Sequence, residues 1–275
     1  MISLIFGIIV RIFSNSFLNV FQKLLTNKGA RPSFVNFCTY FGLTFLSLLF
    51  INRIIFSGEI CLNVCIMGLL GTLGNYYIIK ALSLGELSTL APINSYKPIV
   101  ALIFGIVYLN EIPSVYAVSG ILLIILGTYF LFENKTEFNK QAIFYRFLAL
   151  IFSGAEAIFI KKIILLTNLP VSFFLWAFAG LIFSSFFLIG NKKTDFRIAS
   201  WKYQLLLVLS VGIMQYSTNF VFSKINVSYA LALFQLSTLL SVFLGVNIFN
   251  EKNLKRKVFA SLLMIFGAVV IIVLG

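Results

Sequence analysis

The chain has 275 residues, 60% of them hydrophobic and only 11% charged, with a formal net charge of +13 and no histidine. Soluble domains run at about 45–50% apolar and about 25% charged, so this composition excludes a soluble globular fold and points to an integral membrane protein. Uninterrupted apolar runs exclude a barrel, whose strands alternate. The basic residues lie mostly in short connections, which suits topology control and lipid headgroups rather than nucleic acid.

Ten apolar segments can be marked, at roughly 2–25, 33–52, 60–82, 86–110, 113–132, 141–166, 171–190, 203–223, 228–249 and 255–274. No connection is long enough to be a domain. The expected fold is therefore an all-α bundle of ten transmembrane helices. The opening MISLIFGIIVRIFSNSF lacks a basic leader and a small-x-small cleavage site, so it reads as a retained first helix.

The first segment carries Arg11 near its middle. Cys38 lies in the second, and Cys61 and Cys65 in the third. With no histidine and no further sulfur ligand nearby they read as small buried hydrophobes, not a metal site. No cofactor is expected. The third segment also places Thr72, Asn75 and Tyr76 within one turn.

The fourth segment is the most unusual. Leu84 to Glu111 has Pro92 and Pro98 inside it and Lys97 near its middle. Pro98 has no N–H to give a helix and displaces the turn before it. In Asn94-Ser95-Tyr96-Lys97-Pro98, freed carbonyls near Asn94 can line a site. The sixth segment holds Glu156 near its middle. Trp176 in the seventh, Gln215, Thr218 and Asn219 in the eighth, and Gln235 in the ninth add polar and aromatic groups.

Arg11, Lys97 and Glu156 are the three charges at mid-depth. Each costs at least ~2.5–3.5 kcal/mol there, so each is expected to face a partner or a wet cavity. Pairing Glu156 with Arg11 or Lys97 is the plainer reading, and a direct role in cargo or proton binding is the other. Glu111 and Glu251 each follow an Asn at a helix end, and read as connector or capping residues, with Pro113 suited to a first turn.

The two halves echo each other. At an offset of 140, Ser88 meets Ser228, Gly105 meets Gly245, Asn110-Glu111 meets Asn250-Glu251 and Gly127 meets Gly267. At an offset of 138, Lys23 meets Lys161, Pro32 meets Pro170 and Gly42 meets Gly180. The expected repeats are 1–135 and 136–275. Five helices is an odd number, so the second copy enters the membrane from the opposite side. An inverted repeat of this kind is the geometry that alternating access needs.

Orientation is read from the connections. Fifteen Lys and Arg fall in or beside odd-numbered connections and four in even-numbered ones, leaving Arg11 and Lys97 of the 21. The positive-inside rule then puts both termini outside.

The pattern Pro98 … Leu109-Asn110-Glu111 … Gly120 … Gly127, in a chain of ten short helices and two five-helix repeats, resembles the EamA-type members of the drug/metabolite transporter superfamily. The second copy keeps Glu251 and Gly267 but has Thr238 and Ala260 in place of Pro98 and Gly120. The resemblance covers essentially the whole chain and implies a ten-helix transporter, with both termini inside in many relatives. Glu156, in SGAEAIFIKK, also resembles the membrane-embedded glutamate of the small multidrug resistance relatives. That likeness implies a proton-coupled carboxylate, buried where the charged form is disfavoured.

The expected function is secondary transport of a small polar or charged metabolite, such as an amino acid, by alternating access. Two basic residues against one acidic tilt the cargo toward one with an anionic group. The expected cargo contacts are Arg11, Asn75, Tyr76, Asn94, Tyr96, Lys97, Glu156, Trp176, Gln215, Asn219 and Gln235, with Glu156 as the proton-coupling group. The alternative is proton-coupled efflux of organic cations or drugs, and after it a lipid-headgroup flippase. No catalytic residues are expected, since no Ser-x-x-Lys, His-Glu-x-x-His or Gly-x-Ser-x-Gly arrangement occurs. The expected setting is the inner membrane of a bacterial cell, as a monomer or weak dimer among lipids, with protons as a coupling ion and no nucleic-acid partner.

Overall fold

The computed structural model describes residues 2–51, 57–97, 99–100, 103, 115–132, 139–189, 198–225, 227–251 and 254–274. Pro98, Asn110, Glu111 and Pro113 lie outside them. The elements are α1 (Ile2–Asn27), α2 (Pro32–Leu48), α3 (Gly58–Leu84), α4 (Leu87–Leu90), a 3-10 segment (Pro92–Tyr96), α5 (Val115–Phe132), α6 (Lys140–Leu166), α7 (Leu169–Ile189), α8 (Trp201–Lys224), α9 (Val227–Phe234), α10 (Leu236–Phe249) and α11 (Leu254–Val273). Among the described residues there is no strand. Four helices, α1, α3, α7 and α8, are each long and apolar enough to cross a bilayer; α10 is apolar but shorter.

Local chemistry sets the ends. Gly29, at φ 85°, closes α1: its N–H reaches Thr26 O and the Ala30 N–H reaches Leu25 O, a turn that needs the left-handed backbone glycine permits. Pro32 opens α2. Ser57, Asn139 and Ser200 cap α3, α6 and α8 by accepting first-turn backbone N–H groups. Large apolar side chains such as Phe6, Ile9, Phe13, Phe41 and Phe45 point outward on α1 and α2, as a lipid-facing surface requires. Cys61 and Cys65 also lie on the outer face of α3, which corrects their reading as buried. They share a face because they are four apart, and that face is turned away from the packed side of the helix.

Most helix partnerships join the first half to the second. α1 packs on α8, α2 on α7, α3 on α6, α5 on α11 and α4 on α10. Exchanging the halves turns the α1–α8 pair into the α6–α3 pair and leaves the other three pairs unchanged. Two lysines, Lys23 buried and Lys161 half-buried, repeat the pattern at bond level. Lys23 on α1 donates to Gly85 O beyond the end of α3, and Lys161 on α6 donates to Phe222 O and Ile225 O at the end of α8.

The fourth and ninth segments are both discontinuous. The fourth runs as α4 and then a 3-10 segment. The ninth breaks at Gln235, between α9 and α10, at the position paired with Ser95 by the offset of 140. Thr238 stands where Pro98 does in the first half, and both its N–H and its hydroxyl donate to Gln235 O, at 2.9 and 2.7 Å. A threonine can thus accompany an interruption here without proline. Discontinuous helices of this kind bring backbone groups to a site within the membrane.

A candidate cargo cavity between the two halves

A cavity of about 120 Å³ lies between α1, α2, α3, the 3-10 segment, α6, α7, α8 and α9. Helical periodicity explains its walls. On α1 the stripe is Arg11, Asn15, Leu18 and Asn19; on α6 it is Arg146, Ala149, Ser153, Glu156, Ala157 and Ile160; on α8 it is Val211, Met214, Gln215, Thr218 and Phe222. Each follows the three- and four-residue spacing of one helix face.

Glu156 is 8% exposed and accepts from the Trp176 indole N–H at 2.5 Å. Gly71 on α3 makes room for the carboxyl: a Cβ there would stand 2.2 Å from Glu156 Oε1. Tyr40, 1% exposed, packs its ring 5.2 Å from that of Trp176, and Phe173 stacks on Trp176 at 6.3 Å. No ion pair joins Glu156 to Arg11 or Lys97 among the described residues. The expected charge pair is therefore replaced by a carboxylate–indole hydrogen bond.

Arg11 is 5% exposed, and its Nε and Nη1 find no acceptor. Its guanidinium carbon lies 4.3 Å from the centre of the Phe234 ring, a cation–π contact. Lys97 follows the 3-10 segment, in electrostatic range of Arg11, Arg146 and Glu156. Arg146 donates through Nε to Leu90 O at 3.0 Å. Asn75 is held in place by Gln22 and Asn36, at 3.0 and 2.5 Å.

Seven of the expected contacts thus line one cavity: Arg11, Asn75, Asn94, Lys97, Glu156, Trp176 and Gln215. Four do not. Tyr76 is one residue past Asn75, about 100° around the helix, and stacks on Phe187 at 5.8 Å. Tyr96 packs edge-on against Phe147 at 5.4 Å. Asn219 stands behind the wall, accepting from Gln215 and donating to Ser172. Gln235 turns back onto Leu231 O at the break in the ninth segment. Thr72 donates to Gly180 O and ties α3 to α7.

Sequence reasoning missed Arg146, counted as a loop charge, and Asn15, Asn19 and Tyr40. For Arg146 the signal was there: it falls on the same stripe of α6 as Ser153 and Glu156.

A second polar cluster joins α1, the start of α4 and the α10–α11 connection with α11. Glu251 accepts from the Leu87 and Ser88 N–H groups at 2.8 and 2.7 Å, and Lys23 Nζ stands 3.6 Å from it. Asn250, at φ 55°, turns the chain so that Glu251 faces α4. Glu251 thus caps a helix from the connection between α10 and α11, but the helix is α4 of the other half rather than a neighbour along the chain. Beside it Lys257 donates to Glu86 and Ser88, at 2.5 and 2.6 Å.

Residues 2–133 and 140–273 each match the EamA-like transporter family. The chain belongs to that family. It is a multi-pass membrane transporter of the drug/metabolite transporter superfamily, whose members are transporters rather than enzymes. No curated protein matches the chain. Among solved structures, one described only as "Crystal structure of protein" is similar to this transporter with a TM-score of 0.68, over 99% of this chain and 97% of the other, at 15% identity. That likeness is one of fold.

Proposed function

We propose that this transporter is a secondary carrier that moves a small polar or charged metabolite by alternating access. The observation that carries the reading is a polar cavity walled by both halves, with discontinuous segments in each. In this reading residues 1–135 and 136–275 are inverted repeats, together spanning the bilayer ten times, that rock about the cavity. Arg11, Asn75, Asn94, Lys97, Glu156, Trp176 and Gln215 contact the cargo, and Arg146 joins them. The setting is a bacterial inner membrane. Lys23, Arg146 and Lys257 are buried, but removing them leaves the excess of basic residues on the same side, so the count still favours termini outside.

The test is accumulation of unchanged labelled metabolites in proteoliposomes. Arg11→Ala and Lys97→Ala carriers should each lose at least about tenfold in rate for the identified cargo, the loss of one charge-assisted contact. Normal rates in both would remove the site assignment, and covalently altered product would argue against a carrier.

A second reading is efflux of organic cations against protons on Glu156. It is favoured by the aromatic rings of Trp176 and Tyr40, which line the cavity with that carboxylate and suit a cation. It predicts that Glu156→Gln abolishes proton-driven accumulation while leaving downhill exchange. Proton-driven accumulation at the parent rate in that variant would exclude it.

A further inference from the structure

The charges lining the central cavity do not balance. Arg11, Lys97 and Arg146 supply three formal positive charges and Glu156 one negative, so 3 − 1 leaves +2. A neutral Glu156 would enlarge the excess, and even with Lys97 neutral the two arginines against one carboxylate leave the lining net positive. Oε1 of Glu156 is already taken by Trp176. Arg11 is nine-tenths buried or more, with two guanidinium nitrogens lacking any acceptor. Arg146 uses Nε on Leu90 O while its side chain lines the cavity. Like charges this close, away from bulk water, repel and are poorly solvated. A zwitterion would leave the excess untouched, and a cation would add to it.

We propose that the cavity takes an organic dianion: a small molecule with two ionised acid positions, as in a dicarboxylate or a phosphomonoester. The inference rests on the carrier reading only in taking this cavity as the cargo site. Arg11 comes from the first half and Arg146 from the second, and planar guanidinium groups suit carboxylate and phosphate oxygens. Lys97 adds a point charge from the interrupted fourth segment. The amides of Asn75, Asn94 and Gln215 serve the uncharged remainder of the molecule.

The experiment is thermal unfolding of the purified full chain in detergent, titrated with succinate, glycerol 3-phosphate, alanine or choline. A ligand that binds only the folded form raises the midpoint with concentration. One or both dianions should do so, and alanine and choline should not. Succinate alone would assign a dicarboxylate, glycerol 3-phosphate alone a phosphomonoester. In Arg146→Gln and in Arg11→Gln the apparent dissociation constant should rise roughly 10- to 100-fold, the loss of one charge-assisted contact. Arg11→Gln should also keep or raise its ligand-free midpoint, because relief of a buried charge whose Nε and Nη1 find no acceptor outweighs the contact with the Phe234 ring that it gives up. A merely structural arginine would lower it. No stabilisation by either dianion overturns the proposal, as does unchanged affinity in both variants. Flux separates the two readings: choline uptake without dianion binding sinks this inference and leaves the carrier, whereas dianion binding without flux of any solute sinks the carrier and leaves the site.

Discussion

Glu251→Ala is expected to lose about 3–5 kcal/mol of stability, the cost of stripping one partner from a buried ion pair. The Glu251 side chain is 4% exposed and that of Lys23 10%. The carboxylate accepts two backbone N–H groups that α4, only four residues long, cannot satisfy itself. Truncation leaves both donors buried and unpaired, at about 1–3 kcal/mol each. Gly245 shows how tightly the carboxylate is seated: a Cβ there would lie 2.7 Å from Glu251 Oε2. Glu251→Gln keeps one acceptor and should lose less. Unfolding midpoints in detergent distinguish the three proteins. Equal midpoints for parent and alanine variant would show that the contact contributes nothing to stability.

Gly71→Ala is the second change with a large expected effect. The new methyl would stand 2.2 Å from Glu156 Oε1 and 2.8 Å from its Cδ. Tightly packed helices do not absorb an overlap of that size without moving a side chain, at about 1–3 kcal/mol. The group that can move is the carboxyl, which would leave Trp176 Nε1 without its acceptor and enter the cavity. Transport should fall by at least about tenfold, equivalent to about 1.4 kcal/mol. The emission of Trp176, measured with Trp201 replaced by Phe, should change with it. Normal transport together with unchanged emission would show that Glu156 does not need this seat.

The bundle was legible because lipid demands long apolar runs, and hydropathy records them. The correspondence of the halves could be read from a rare residue, Lys23 with Lys161, whose side chains donate to equivalent carbonyls. What eluded the sequence was direction. Hydropathy gives depth but not which side of a helix a polar group faces, so Tyr76 was taken with Asn75 though one residue turns it onto Phe187. Arg146 was assigned to a loop because it stands near the start of its segment, yet its long side chain reaches inward to Leu90 O. Glu251 was read against its own helix because sequence shows neighbours along the chain, whereas its partners Leu87 and Ser88 lie in the other half.

The pairing of α1 with α8, α2 with α7, α3 with α6 and α5 with α11 bears on biosynthesis. While the ribosome is still making the second half, the first five segments have few of their final neighbours. Arg11, Asn15 and Asn19 then present a polar stripe to lipid or to whatever insertion machinery shelters them. Closure of the bundle must wait until α6 to α8 have been made.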